Sequence, residues 1–74
     1  MIKLIDIDFD GIFDTEKIIK RFGYLPFYDE SIRYCKSKKI RLENFGISHF
    51  DWYADITKSE LLKHFKIKYK GFLK

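Results

Sequence analysis

The chain predicts a small α+β domain in which a mainly antiparallel sheet, its N- and C-terminal strands paired, is covered by two or three short helices. Strict alternation at both ends carries part of this expectation: IDIDFD (5–10) and FKIKYK (65–70) place apolar and charged residues at period two, as strands with one wet face do. Intervening segments show apolar residues at helical spacing, and residues 40–54 read as two alternating runs around Asn44 and Gly46, which is a hairpin signal.

In order along the chain, Ile5, Ile7 and Phe9 alternate with Asp6, Asp8 and Asp10 as a first strand, which Gly11 ends. Asp14 or Thr15 is placed to cap a helix through EKIIKRF, with Ile18, Ile19 and Phe22 on one side. GYLPFYD reads as a loop, because proline disfavours helical geometry in the residue before it. A second helix is expected from Asp29 through ESIRYCKSK, burying Ile32 and Cys35 while Arg33 and Lys36 face water. The hairpin uses Ile40 and Leu42 on one arm and Phe50 and Trp52 on the other. Thr57 and Glu60 form a capping-box pattern that opens a helix burying Leu61, Leu62 and Phe65. Residues 65–70 fit either a continuation of that helix or a strand, and the preference of Ile and Tyr for extended chain favours the strand. Paired with the first strand, it would set Lys66, Lys68 and Lys70 opposite Asp6, Asp8 and Asp10, making the acids structural.

Seventy-four residues allow a single domain, 1–74, with a small core. Eight Phe, five Tyr and one Trp supply the bulk of that core, and a chain this short leaves some of these rings at the surface, where they favour contacts. A lone Cys35 excludes an internal disulfide framework and reads as a small buried residue. No apolar run reaches membrane-span length and MIKLIDID turns acidic too early for a signal peptide, so a cytoplasmic location is expected. Charge is unevenly laid out. In residues 1–16 one lysine faces five acids, a net −4, whereas the remainder sets fourteen basic residues against six acids, a net +8. Such a surplus favours polyanionic partners without bearing on the fold.

DIDFDGIFDTEK (6–17) resembles the calcium loop of EF-hand-like proteins at Asp6, Asp8, Asp10, Gly11 and Asp14, a resemblance that implies hard-oxygen coordination; Lys17 stands where that family places its bidentate Glu. IDFDGIFDTE is similar to the nucleophile motif of haloacid-dehalogenase-type phosphatases, which would make Asp8 the nucleophile and Asp10 the acid–base group; Ile12 replaces the expected Thr, and the chain is too short for that family's parallel sheet. His49 and His64 sit in no metal or nucleophile spacing, and no glycine-rich phosphate loop is present. The expectation is a non-enzymatic protein with no catalytic residue, no metal site and no cofactor.

RYCKSKKIR concentrates five positive charges, Arg33, Lys36, Lys38, Lys39 and Arg41, with Tyr28 and Tyr34 close by in sequence. Cations sharing a face neutralise phosphates, and rings beside them stack on bases. The order helix, turn, helix, hairpin, helix is also loosely similar to winged-helix DNA-binding proteins of the excisionase and MerR type, with ESIRYCKSKKI where the recognition helix would lie. These seven residues are the expected binding set. The partner is expected to be nucleic acid or a nucleic-acid-handling host protein. The alternative is a protein–protein inhibitor or adaptor of the kind phages and mobile elements encode, anchored by aromatic side chains.

Overall fold

Residues 40–54 form the expected hairpin, and a computed structural model, which describes all 74 residues, shows what stands beside it. Strand β2 (Leu42–Asn44) pairs antiparallel with β3 (Trp52–Ala54), Glu43 opposite Tyr53. On the other side of β3 lies β1 (Ile2–Lys3), also antiparallel, with Lys3 opposite Tyr53, so the strand order is β1-β3-β2. Three helices, α1 (Thr15–Phe22), α2 (Phe27–Ser37) and α3 (Lys58–Lys68), complete an α+β fold.

The expected pairing of terminal strands is replaced. Leu4–Asp6 wind into a 3-10 turn and residues 7–9 run on without a ladder partner, while residues 65–68 are the end of α3 and Lys70–Phe72 form a second 3-10 turn. Packing decides between the two periods. Leu61, Phe65 and Tyr69 recur every fourth residue and are all buried, with Leu62 half-buried beside them, whereas the competing strand pattern would have buried Ile67, which is 72% exposed. Once the Thr57 cap has nucleated α3, each further turn is added at low entropic cost, and this run of core contacts rewards it. The chain ends still touch: Phe13 and Leu73 form an isolated antiparallel bridge, Asp14 N–H donates to Phe72 O at 2.7 Å and Lys74 N–H to Ile12 O at 3.0 Å. The aspartate and lysine rows, however, do not meet. None of the five acids between residues 6 and 16 forms a salt bridge, and Lys68 instead pairs with Glu30 of α2 at 2.8 Å.

Helix ends follow local chemistry. Asp14 caps α1 by accepting from Lys17 N–H at 3.1 Å, and Gly23 closes it in a left-handed conformation, φ 85°. Of the apolar side expected for α1, Ile18 alone is buried; Ile19 and Phe22 are exposed, although Phe22 sets its ring against Tyr69 and Phe72 at 6.0 and 5.7 Å. Helix α2 begins at Phe27, two residues before the expected Asp29, so that Asp29 and Glu30 fall in its first turn, where the helix dipole favours acids. Ile32 and Cys35 are buried and Arg33 and Lys36 exposed, as the spacing predicts. At its C-terminus, Ile40 N–H donates to Cys35 O and Lys39 N–H to Lys36 O, the paired bonds of a Schellman motif, with Lys39 in the left-handed position at φ 57°.

The core is a stack of rings. Phe27 lies 4.3 Å from Phe9 face to face, and Phe13, Phe65 and Tyr69 surround it at 5.1, 5.4 and 5.5 Å. Leu4, Ile18, Cys35, Ala54 and Leu61 fill the spaces between the ring cluster, helices and sheet.

Candidate functional site

Arg33 and Lys36 project from α2 into solvent one turn apart, Lys38 caps the helix and Lys39 turns the chain away, so four cations of the expected set occupy one short stretch and are exposed. Arg41 follows just before β2, where its guanidinium donates to Glu43 Oε1, from Nε at 2.9 Å, and that hydrogen bond raises its pKa. Its charge is thus shared with a neighbour, unlike that of Arg33.

The two expected rings are committed elsewhere. Tyr34 is half-buried and stacks on His64 of α3 with centroids 4.1 Å apart. Tyr28 is half-buried and donates its hydroxyl to His49 O at 2.6 Å, with its edge against His49 and Phe50. Helix geometry explains both positions: with Phe27, Ser31, Ile32 and Cys35 buried, residues 28 and 34 flank the inward face, whereas 33 and 36 point away.

Arg33 and Tyr34 also line a shallow polar cleft of about 250 Å³ between α2 and α3, with Glu30, Ser37, His64 and Lys68. There Glu30 Oε1 accepts from both Lys68 Nζ at 2.8 Å and Tyr69 Oη at 3.0 Å. Burial lowers the His64 pKa, with Lys68 and Lys38 adding to the effect and Glu30 opposing it, which favours the neutral imidazole against Tyr34. His49 lies exposed, 3.4 Å from Asp29.

The β2–β3 connection was not singled out by sequence. Residues 45–50 carry Phe45, Ile47 and Phe50, all exposed, and Ile47 fully so. The loop is nonetheless internally tied. Asn44 accepts from Gly46 N–H and donates to Ser48 O, Asp51 accepts from Ser48 N–H, Ser48 Oγ accepts from Phe50 N–H, and Phe45 N–H reaches Asp51 O. A side chain at Gly46 would collide with the Asp51 carboxylate and push it off the Ser48 N–H, so glycine suits the turn. The available signal was three large apolar residues within six positions of a polar turn; the strand reading placed Phe50 on the hairpin's second arm, whereas the structure puts it in the loop, exposed.

A second concavity, about 240 Å³, opens between the N-terminal segment and the start of α2; Ile5, Ile7, Phe9 and Leu25 line it with Asp8 and Asp10. The aspartates do not converge on a point, since no three His, Cys, Asp or Glu side chains come together to surround an ion. No helix is long and apolar enough to cross a membrane. Comparison with family models, curated proteins and solved structures finds no match.

Proposed function

We propose that this is a non-enzymatic binding protein whose primary contact is the 45–50 loop, docking into an apolar socket on a protein partner. The exposure of Ile47 on a hydrogen-bonded loop, flanked by exposed Phe45 and Phe50, carries this reading. A pre-ordered loop loses little conformational freedom on docking, and apolar anchors seated in a partner's pocket account for most of the affinity in such interfaces. The net charge of +4 suits a socket rimmed by acids, which would speed encounter more than strengthen the complex. This corresponds to an inhibitor or adaptor. A photo-crosslinking residue at position 47 should yield a covalent protein adduct in nuclease-treated host lysate, suppressed by excess unmodified protein but not by an excess of the Ile47→Asp variant. With the partner in hand, Ile47→Asp should weaken binding by at least about 2 kcal/mol, near thirtyfold. Absence of any competed adduct would sink the proposal.

A second reading, nucleic-acid binding through Arg33, Lys36, Lys38 and Lys39, is favoured by one observation. Lys39 occupies a left-handed position that suits glycine better, and a residue held where another would be more stable is a candidate for selection by function. On this reading, random-sequence DNA or RNA binds at low salt, and Arg33→Ala/Lys36→Ala reduces the slope of log affinity against log salt by about two. No retention on nucleic acid at low ionic strength would remove it.

A further inference from the structure

The acids of the N-terminal segment and the lysines around the end of α3 find no partners for each other within one chain, and we propose that they find them between chains: the protein self-associates head to tail. One half of the contact is the groove lined by Ile5, Ile7, Phe9 and Leu25 and walled by Asp8 and Asp10. Asp8 holds the Gly11 N–H at 3.3 Å but no cation, and neither aspartate is in an ion pair. The other half is Ile67, 72% exposed on the outer side of α3. Lys63 lies one turn earlier on the same face, Lys66 is adjacent and Lys70 follows, all exposed and all without a salt bridge.

An apolar knob collared by lysines thus matches an apolar groove walled by aspartates. This complementarity repeats at the level of the chain, where residues 1–16 carry −4 and the rest +8. Because knob and groove are different patches, the contact is heterologous. Each copy in a pair keeps one unused half, and growth continues unless the rotation closes a ring. A single isoleucine and a few exposed charge pairs make the association weak and strongly salt-dependent.

Sedimentation equilibrium tests this with the natural chain and three variants. The natural chain should exceed 9.0 kDa increasingly with concentration in about 0.1 M salt, and return to monomer mass near 1 M, where the screening length falls to about 3 Å. Ile67→Glu loses the knob; Asp8→Asn/Asp10→Lys loses the groove charge while the asparagine retains an oxygen for the Gly11 N–H. Each of these two variants alone should be monomeric with an unchanged circular dichroism spectrum, and their equimolar mixture should form a two-chain complex that grows no further. A monomeric natural chain up to millimolar concentration, or a mixture that stays monomeric, overturns the proposal. So does a monomeric chain whose groove instead binds a lysine-flanked isoleucine peptide, since the groove would then belong to a basic partner. Ile47→Asp should self-associate like the natural chain, which separates this contact from the one made by the 45–50 loop.

Discussion

Phe27 stands at the centre of the core, within 5.5 Å of Phe9, Phe13, Phe65 and Tyr69, and no other ring has as many close neighbours. Truncating such a ring removes its transfer energy and leaves a cavity, about 3–5 kcal/mol in all. For a chain of 74 residues, stability is expected at roughly 4–11 kcal/mol. Phe27→Ala should therefore remove a large part of it in urea unfolding, whereas Phe50→Ala, at an exposed ring, should shift it by less than about 0.5 kcal/mol. Tyr69 makes a different kind of contribution. Burial pushes its hydroxyl pKa well above the ordinary tyrosine value, and the hydrogen bond to Glu30 adds to this. The fold thus favours the protonated phenol. Above pH of about 10 the unfolded tyrosine releases its proton and the folded one keeps it, so stability present below that pH is lost as pH rises toward the folded pKa. Tyr69→Phe should cost about 1 kcal/mol at neutral pH and flatten the alkaline fall in melting temperature. Some of the fall should remain, since burial raises the Tyr28 pKa as well.

Among the elements, those whose signals were both local and redundant were legible. The Thr57 cap, with Glu60 N–H donating to its hydroxyl at 3.1 Å, announced α3, and alternation around Asn44 and Gly46 announced the hairpin. Thr57→Ala should accordingly cost about 1 kcal/mol. The end of α3 was not legible, because Phe65, Ile67 and Tyr69 satisfy period two while Leu61, Phe65 and Tyr69 satisfy the helical period. Only the location of the core, a tertiary fact, separates them. Without a C-terminal strand, residues 7–9 have no ladder partner, and Ile7 and Phe9 pack against the core instead. The candidate site divided in a similar way. Arg33 and Lys36 were correctly placed in water by helical spacing, but Tyr28 and Tyr34, chosen for closeness in sequence, lie on the flanks of the inward face. The Schellman turn of α2 carries no signal in the sequence, because its usual glycine is absent. Lys39→Gly should relieve the left-handed strain and raise stability by about 0.5–1 kcal/mol, readable as a higher urea midpoint; a lower midpoint would show that the lysine side chain contributes a contact of its own.

At the scale of the whole molecule, charge is segregated instead of balanced. Asp14 is held at the α1 cap and Glu16 sits in that helix's first turn, where the dipole favours it, but Asp6, Asp8 and Asp10 have no cation in salt-bridge reach. Had the terminal strands paired, these aspartates would have faced a lysine row, and removing them would destabilise the fold. As built, removing them breaks no ion pair. Asp6→Asn/Asp8→Asn/Asp10→Asn, in which the amide replacing the Asp8 carboxylate keeps an oxygen for the Gly11 N–H, should therefore change stability by no more than about 0.5 kcal/mol at low salt, although the net charge rises from +4 to +7. Any such difference should fade as salt screens the charges, so the two melting temperatures converge near 1 M, where the screening length is about 3 Å. Measured at protein concentrations dilute enough to keep the chain monomeric, a lower melting temperature for the triple variant would mean that the aspartates are paired in solution after all, with the lysines as their partners.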